Sequence, residues 1–482
     1  MTIQHIFQFV SKASQASATE VYVVGGFVRD ELLGIPDKKD LDFVVLGSGI
    51  EFARKFDEMY VGESALVEFP DFDTARFVIM DEKREKSVFE LEFAGARTEK
   101  YKDNSRKPEV MATSLEEDLK RRDFTVNAMA RKVIASGLSS KIVDPFHGQQ
   151  NLKNKTLQTP LDPDETFFED PLRMLRAARF AAQLNFSLKE EVLLSIHKNR
   201  ERIKIISQER IQEELMKLLA TNVPSVGLQL LHGTKLLDEF LPEVAALAGV
   251  EEVKGYKHKE NLSHTFAVVD NIATYSKKPL LRFAGLMHDI AKPETKKFDP
   301  SRGWTFDMHE HLGKKMTWEI CKRLRMKKQD IQYVAELVRW HLQPIALMDE
   351  GVTDSAVRRL IVNLQEDLDD LLILCRADVT TGNQSKKKKR LTNYDRLEKR
   401  IAEVLEKDKL RAFQSPVRGE EIMEICGLKP GPTVGEIKEE IERAILDGEI
   451  PNEYEAAKEY FEKMKDRYIQ KAKDWEFIDN KQ

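Results

Sequence analysis

The first hundred residues alternate short apolar runs with charged segments, a pattern that predicts β-strands. The run Val21–Val24 comes first, and Gly25-Gly26 and the helical stretch FVRDELLG follow it. A turn at Ile35-Pro36-Asp37 leads to a second apolar run, which carries Asp40 and Asp42. Further elements are predicted as strands at LVEFP, ARFVIM and VFELEFA and as a helix from about Ile50 to Met59.

The two aspartates of the second strand are the first candidates for chemistry. Strand alternation puts Asp40 and Asp42 on the same side, where their carboxylates repel each other unless a divalent cation lies between them. The turn at Gly25 and Gly26, ahead of a helix, frees backbone N–H groups for anionic oxygens. An Asp-x-Asp pair alone is common on exposed strands, but together with the glycine turn it indicates a nucleoside triphosphate with its Mg²⁺.

A third carboxylate is expected on the strand FELEFAGAR. Glu90 and Glu92 share one face of it. Phosphoryl transfer between two metal ions needs a further carboxylate that helps to deprotonate the attacking hydroxyl. Glu92, followed five residues later by Arg97, is the candidate, whereas Glu90 fits a solvated strand face.

The stretch LKRRDFTVNAMA carries the next group of polar residues. A lysine-rich segment, residues 100–118, precedes it and is predicted as a loop, with a helix beginning near Thr113 or Ser114. Arg121 and Arg122 beside an aspartate suit phosphate and ribose contacts, because guanidinium groups bind oxyanions in a bidentate manner. A surface ion pair is the alternative for these two arginines. The candidate core residues here are Leu115, Leu119, Phe124 and Met129.

Composition narrows the class of protein. The chain has 482 residues, 33% of them charged and 41% hydrophobic, so several globular domains are expected. No apolar run approaches membrane-spanning length and the N-terminus has no secretory pattern. Its three cysteines have no metal-ligand spacing and indicate a reducing, cytoplasmic environment. The net charge of −5 argues against a general nucleic-acid coat but leaves room for local basic patches.

A helix rich in arginine is predicted over EDPLRMLRAARFAAQL. Pro171 suits a first helical turn, and Arg173, Arg176 and Arg179 recur every third residue. Because this stretch holds no glutamate from Leu172 to Leu184, it favours a surface that faces anions. The next helix, SQERIQEELMKLL from about Ser207 to Ala220, is predicted as a packing element with its charges on a solvated face.

Asp170 and Arg173 suit the recognition of a base. A carboxylate accepts a hydrogen bond from an exocyclic amine, and a guanidinium donates to a ring nitrogen or carbonyl. The pair therefore matches the edge of cytosine or of adenine, but not that of uracil or guanine.

Several of these motifs resemble one known family. The segments GGFVRD, DLD, RRDFTVNAMA, DPFHGQQNL, EDPLRMLRAARF and SQERIQEEL occur in the order found in class II tRNA nucleotidyltransferases and bacterial poly(A) polymerases, over roughly the first 220 residues. The resemblance implies an α+β fold, a small mixed β-sheet head of the polymerase-β type followed by an all-α neck, body and tail. It further implies the following roles: metal binding by Asp40 and Asp42, triphosphate contacts by Gly25, Gly26 and Arg29, nucleotide and ribose contacts by Arg122, Asp123 and Asn127, base selection by Asp170 and Arg173, and phosphate contacts by Arg176 and Arg179.

A second constellation resembles the HD phosphohydrolases. The resemblance implies a metal-ligand set of His264, His288, Asp289 and Asp378. His309 and His341 extend it to a second metal or contact the phosphate, and His311 lies beside them. Histidine and aspartate ligands on several helices suit a divalent transition metal that activates water. The alternative is a degenerate domain kept for structure or RNA contact. The basic run Lys386–Arg390 that follows meets RNA backbone or lies in a solvated loop.

These inferences predict four domains: a catalytic head, 1–150; a helical neck for nucleotide selection and RNA binding, 151–245; an HD-type domain, 246–400; and a helical tail, 401–482. The expected activity is Mg²⁺-dependent, template-independent addition or repair of the 3′-terminal CCA of tRNA from CTP and ATP. Addition of poly(A), of CC alone or of A alone is an open alternative. An enzyme of a different class is a second alternative, in which the HD centre carries out the main reaction and the head only binds RNA. A non-catalytic RNA-binding protein is the third.

Overall fold

The chain divides into two compact units in a computed structural model. The first unit comprises residues 1–248 with 323–326, and the second comprises 249–322 with 327–482. The structure describes residues 2–35, 39–81, 86–100, 109–249, 252–253, 256–257, 260–348, 352–408 and 415–477. Pro36 and Asp37 of the predicted turn, and residues 101–108 of the predicted lysine-rich loop, lie outside these ranges.

A mixed seven-stranded sheet forms the head, in the order β3-β4-β5-β2-β1-β8-β9. Only β2 and β5 pair in parallel, and the other neighbours are antiparallel. The strands predicted from alternation are thereby confirmed. Their bounds are β1 Val21–Val24, β2 Asp40–Val45, β3 Ser64–Phe69, β4 Thr74–Met80, β5 Ser87–Gly95, β8 Ala130–Ile134 and β9 Gly137–Val143, with a separate hairpin of β6 Arg97–Lys100 and β7 Glu109–Ala112.

One face of this sheet is covered by two helices, α1 Ile3–Ala16 and α3 Gly49–Met59. Aromatic rings fill the space between: Phe43 and Phe93 stack with their centroids 5.2 Å apart, and Phe56 lies 5.2 Å from Phe93. Each fully buried ring stabilises the fold by roughly 2–3 kcal/mol. The opposite face carries polar residues, among them the exposed Asp40 and Asp42.

The head also has three short helices: α2 Gly26–Leu32, which contacts β1 and β2, α4 Leu115–Lys120, which contacts β6, and α5 Gly148–Asn154. The hydroxyl of Ser114 accepts a hydrogen bond from the backbone N–H of Glu117, so α4 begins where its capping residue predicted. Leu119, Phe124 and Met129 are fully buried, as expected. Part of the predicted lysine-rich loop instead forms β7, because 109–112 pair with β6.

The rest of the first unit is helical apart from one short pair of strands. Ser207 directly precedes the helix Gln208–Leu219, as predicted. The bounds are α6 Pro163–Glu169, α7 Leu172–Leu184, α8 Glu190–Asn199, α9 Gln208–Leu219, α10 Pro224–Gly233, α11 Leu237–Phe240 and α12 Pro242–Ala245, with strands β10 Thr156–Leu157 and β11 Ser187–Leu188.

The second unit is also helical, with two short strand pairs. The loop alternative for the basic run is wrong, because Lys386–Arg390 lie within α21. Within the described ranges, no helix of either unit has the length and apolar character needed to cross a membrane. The bounds are α13 Asn261–Tyr275, α14 Pro279–Met287, α15 Lys292–Thr295, α16 His309–Arg323, α17 Lys328–Trp340, α18 Gln343–Ala346, α19 Asp354–Leu364, α20 Leu368–Ala377, α21 Gln384–Asp408, α22 Gly419–Cys426, α23 Pro432–Leu446 and α24 Tyr454–Ile469, with strands β12 Glu252–Val253, β13 Tyr256–Lys257, β14 Lys297–Asp299 and β15 Gly303–Thr305.

Candidate active sites

The acidic strand β2 presents its two aspartates on the open face of the head sheet. Asp40 and Asp42 are exposed, while Leu41 and Phe43 between and after them are buried. The alternation of apolar and acidic residues dictates this arrangement, since only one face of β2 is covered. Two carboxylates thus lie on one side of one strand, as predicted.

Glu92 lies directly beside this pair. The parallel register of β2 and β5 sets Asp42 opposite Glu92, and Asp40 opposite Glu90. Burial and the charge of Asp42 raise the pKa of Glu92, which is the direction expected for a group that takes up a proton. On its other side, the guanidinium of Arg76 lies 3.9 Å from the Glu92 carboxylate. The sheet therefore assembles three carboxylates from two strands.

The glycine turn closes over the same place. Gly25 has φ +71° and ψ −134°, a conformation open to glycine but strained for other residues, and it precedes α2. A Cβ atom at this position would lie 3.4 Å from Nη1 of Arg122 and 3.5 Å from Oδ2 of Asp42. The turn at Gly25, the carboxylate of Asp42 and the guanidinium of Arg122 therefore lie next to one another. Gly26 is the first residue of α2.

Arg121 and Arg122 are held by a carboxylate that sequence reasoning did not single out. Asp118 is fully buried and accepts from Nη2 of Arg121 at 2.8 Å and from Nη2 of Arg122 at 3.1 Å. The two arginines therefore do form ion pairs, as the alternative proposed. The pairs do not lie on the surface, because Asp118 is buried and both arginines are partly buried. Their spacing of three and four residues along α4 is the signal that could have predicted them.

Arg29 lies behind the turn. Its side chain is 3% exposed, and it donates to both oxygens of Asp30 and, through Nη1, to Oδ1 of Asn127 at 2.6 Å. These contacts orient Asn127 from the interior. Direct contact between Arg29 and a triphosphate stays a prediction.

The hydrogen-bond network continues from Asn127 to Asp123. The amide Nδ2 of Asn127 donates to Oδ1 of Asp123 at 2.9 Å, and Arg176 donates to Oδ2 of Asp123 at 2.9 Å and 2.6 Å. Burial alone raises the pKa of Asp123, but the charge of Arg176 and the hydrogen bond from Asn127 lower it to about 2. Asp123 is therefore ionised and joins the head to α7. Its contact with a ribose stays a prediction.

The predicted base-selecting pair stands at the start of α7. Oδ1 of Asp170 accepts from the backbone N–H of Leu172, and Oδ2 lies 3.3 Å from Arg210. Arg173 is buried, donating to the carbonyl of Arg121 at 2.6 Å and lying 3.2 Å from Glu169. Both side chains therefore have protein partners in this structure, and base recognition stays a prediction.

The arginines of α7 face protein carboxylates. Arg179 donates to Oε2 of Glu214 at 2.6 Å, and Arg176 lies 3.6 Å from Oε1 of the same group. The prediction of a solvated charged face on α9 is wrong for Glu214, which is 4% exposed. Glu214 falls at helical spacing from the buried Ile211 and Leu218, which is the signal that could have predicted its burial. Phosphate contacts by Arg176 and Arg179 stay predictions.

The second constellation forms two adjacent groups, each with one ligand atom per residue within 4.8 Å of the others. His264, His288 and Asp378 make the first group, and Asp289, His309 and His341 make the second. Four of these residues lie at or directly beyond a helix end, so four helices converge on one point. The ligands predicted for one HD set are brought together here. His311, which is exposed, does not belong to either group.

The imidazole rings are oriented as in metal sites. The Nδ1 atoms of His288, His309 and His341 each lie 2.7 Å from a backbone carbonyl. A hydrogen bond at Nδ1 orients each ring so that Nε2 points toward the shared centre, where a bound cation would replace any proton that Nε2 carries. The fourth ring, His264, has Nδ1 2.8 Å from the hydroxyl of Thr380, a supporting residue with no sequence signal.

Asp289 lies between the two groups. Its Oδ2 is 3.2 Å from Nε2 of His288, and its Oδ1 is 3.4 Å from Nε2 of His309. The pKa of Asp289 is well below its usual range because the charges of His288 and Lys292 outweigh burial. Nε2 of His288 also faces Asp378, whose Oδ1 lies 3.7 Å away. This set of imidazole and carboxylate groups would suit divalent transition metals, which would supply activated water when bound.

Comparison with known proteins places each site within a recognised domain. Residues 21–158 match the poly A polymerase head domain, residues 185–247 match the probable RNA- and SrmB-binding site of polymerase A, and residues 261–383 match the HD domain. The glycine turn and the three carboxylates lie in the first of these and the HD ligands in the third, whereas residues 170–179 lie between the first and the second. Both domain types generally use divalent metals.

Relatives of known name cover most of this chain. An A-adding tRNA nucleotidyltransferase of Deinococcus radiodurans is 32% identical over 71% of this chain and 78% of its own length. The multifunctional CCA protein of Vibrio vulnificus is 34% identical over 74% of this chain and 84% of its own length.

Solved structures share the fold at lower identity. A CCA-adding enzyme of Bacillus stearothermophilus, in complex with CTP, covers 98% of this chain and 100% of its own, with a TM-score of 0.63 and 21% identity. One from Thermotoga maritima, complexed with tRNA, has a TM-score of 0.57 and 21% identity, covering 95% of each chain. These structures thus share the fold over nearly the whole length of this chain. The chain belongs to the family of tRNA nucleotidyltransferases and poly(A) polymerases.

Proposed function

We propose that the protein is a template-independent nucleotidyltransferase that adds or repairs the 3′-terminal CCA of tRNA from CTP and ATP. The observation that carries this proposal is the row of Asp40, Asp42 and Glu92 on the open face of the head sheet, under the turn at Gly25. The names of the relatives support tRNA as the acceptor.

Asp40 and Asp42 are proposed to hold Mg²⁺, which neutralises phosphate charge and orients the reacting oxygens when it is bound. Exposed carboxylates of one strand fit this hard cation because oxygen ligands with an open side leave room for phosphate. The backbone at Gly25 and the guanidinium of Arg122 then face the triphosphate.

Glu92 is proposed to take the proton from the 3′-hydroxyl of the RNA. Its raised pKa brings it closer to the operating pH, where a general base both ionises and accepts a proton. The hydroxyl oxygen attacks the α-phosphorus in line, and pyrophosphate leaves. Arg76, 3.9 Å from Glu92, compensates the negative charge of the carboxylate.

Asp170 and Arg173 are proposed to select the base, with Asp123 and Asn127 contacting the sugar. Because Asp170 pairs with Arg210 and Arg173 with Glu169, an incoming base exchanges partners with these groups. Arg176, held by Asp123 and Glu214, is proposed to set the position of α7 against the phosphates.

An extension assay on tRNA lacking its last three nucleotides tests the proposal. We expect CTP alone to add two residues, CTP with ATP to add three, and UTP or GTP to add none. A protein that extends only tRNA ending in CC, and only with ATP, is an A-adding enzyme like the Deinococcus relative. Long adenylate tails identify a poly(A) polymerase.

A second activity, hydrolysis of phosphate esters, is proposed at the HD centre. It is favoured by the cluster of six possible ligands, five of them buried, which a purely structural domain does not need. Purified protein loaded with Mn²⁺ or Ni²⁺ is expected to release phosphate from adenosine 3′-monophosphate, and Asp289→Asn is expected to lose that release. If neither metal gives activity above the variant, the centre is structural.

The four domain bounds, 1–150, 151–245, 246–400 and 401–482, remain our proposal for the organisation of the chain. A cytoplasmic location is proposed with them. It is supported by the free, buried state of Cys321, Cys375 and Cys426, which suits a reducing compartment.

A further inference from the structure

Helix α21 carries an unusual concentration of positive charge. Between residues 386 and 400 it holds eight lysines and arginines and two acidic residues. The two acids, Asp395 and Glu398, are 2.7 and 2.8 Å from the guanidinium of Arg376 on a neighbouring helix. They therefore do not neutralise the lysines of their own helix.

The two sides of α21 differ. One side is buried through Tyr394, Leu397, Ile401 and Val404. The other side carries a shallow surface groove of about 300 Å³ between side chains of this helix alone. The residues that line this groove recur at helical spacing, and they are Ser385, Lys388, Lys389, Thr392, Asn393 and Arg396. Over these positions the helix rises about 16 Å.

The groove has the chemistry of a phosphate-binding surface. Lys388, Lys389 and Arg396 are exposed, and within the described part of the chain they make no ion pair. Interleaved hydroxyl and amide groups add neutral donors, the mixture that contacts phosphate and sugar oxygens of nucleic acids. An acidic protein surface needs the cations but not these neutral donors, so an RNA strand is the better match.

This surface, which we call the basic groove, adjoins the HD centre along the chain. Helix α21 begins six residues after Asp378, a span of at most about 20 Å. Within that connection, Thr380 lies 2.8 Å from Nδ1 of the ligand His264. A polyanion lying in the groove therefore has its end within a few nucleotides of the ligands.

We propose that the basic groove binds the phosphate backbone of single-stranded RNA and presents a terminal phosphate ester of that RNA to the HD centre. This inference rests on the phosphohydrolase activity proposed above. In the step, water adds to phosphorus, the bond from phosphorus to the ribose oxygen breaks, the ribose oxygen takes the proton and inorganic phosphate leaves. RNA is then a better substrate than a mononucleotide.

The test compares two triple variants of the full chain. Lys388→Ala/Lys389→Ala/Arg396→Ala alters the basic groove, and Lys386→Ala/Lys387→Ala/Arg390→Ala removes the same charge from the rest of the basic run. Initial rates of phosphate release are measured on a twelve-nucleotide RNA with a 3′-phosphate and on adenosine 3′-monophosphate. Circular dichroism verifies that both variants are folded.

The groove variant is expected to raise KM for the RNA at least tenfold, the matched variant less than threefold, and neither to change kcat/KM for adenosine 3′-monophosphate. The slope of log KM against log salt is expected to fall by about 2 for the groove variant, since each lost phosphate contact removes about 0.7. Equal effects of the two variants, or none, overturn the proposal.

Two further outcomes are separable. If the wild-type protein hydrolyses neither substrate, the phosphohydrolase proposal fails, and fluorescence anisotropy with the same RNA decides binding: the groove variant must weaken it several-fold more than the matched variant. If polyglutamate competes with the RNA as well as unlabelled RNA does at equal charge, the groove is a protein-binding surface and the proposal is wrong.

Discussion

Replacing Glu214 by glutamine tests the buried ionic network that joins the head to α7. The substitution keeps the shape of the side chain but removes the charge that Arg179 meets at 2.6 Å. Because Glu214 is 4% exposed, water cannot replace it. Removing one partner of a buried pair costs 3–5 kcal/mol in general. We expect the lower end, about 3 kcal/mol, because Arg176 keeps Asp123 and Arg179 keeps a hydrogen bond to Gln183.

The location of the tryptophans makes the assay selective. All four, Trp304, Trp318, Trp340 and Trp475, belong to the second unit, whereas Glu214 belongs to the first. Differential scanning calorimetry is expected to show a transition lowered by about 6–12 °C for Glu214→Gln, given about 2–4 °C per kcal/mol in a unit of this size. The transition followed by tryptophan fluorescence is expected to keep its midpoint.

The neighbouring, exposed Glu213 provides the control. Glu213→Gln makes the same chemical change on the same helix and is expected to alter the free energy of unfolding by less than about 0.5 kcal/mol. The reasoning is refuted if Glu214→Gln and Glu213→Gln melt within 2 °C of each other. It also fails if the fluorescence transition moves as far as the calorimetric one.

Three further predictions concern the two sites. Gly25→Ala is expected to raise KM for the triphosphate at least tenfold, because a φ of +71° strains alanine in the turn that is proposed to face the triphosphate, while its Cβ makes only ordinary contacts with Arg122 and Asp42 at 3.4 and 3.5 Å. Gly34→Ala, also at positive φ but with open space around it, is the control for such strain away from that turn. Glu92→Gln is expected to lower kcat for nucleotide addition by about 10²–10⁴. In the wild type, the rate of nucleotide addition is expected to fall as the pH decreases through the raised pKa of Glu92, because protonation removes the base. If Glu92→Gln shows the same loss of rate at low pH, Glu92 is not the base. Mn²⁺ added to chelator-treated protein is expected to stabilise the second unit, by about 2.7 kcal/mol at one hundred times the dissociation constant; an equal tryptophan-fluorescence shift in His288→Ala would show that the metal binds elsewhere.

The local sequence pattern predicts those structural features that depend on a single strand or a single helix. The alternation in DLDFVV placed Asp40 and Asp42 on one side, and the structure confirms it because a single face of β2 is covered. The capping serine of α4 was likewise visible, since its hydroxyl bonds within the same turn. These features need no knowledge of distant residues.

The sequence pattern does not specify contacts between segments that are distant along the chain. Glu92 lies beside Asp42 only because β5 inserts next to β2 in parallel, a register that no local pattern specifies. The charged pattern of α9 predicts a solvated Glu214, whereas its burial depends on Arg179 of another helix. The histidines near the HD centre were identified by type, but their division into two groups follows from helix ends that meet only in the folded chain.

The most direct test of the central claim is CTP addition to tRNA lacking its 3′ end by Asp42→Asn, with Asp57→Asn, an exposed change on α3, as the control. Nucleotide addition should fall by at least about 10³ in Asp42→Asn and persist in Asp57→Asn, because a metal-binding carboxylate supplies several kcal/mol to the transition state. An Asp42→Asn protein that adds CTP at a rate within threefold of the wild type contradicts the account.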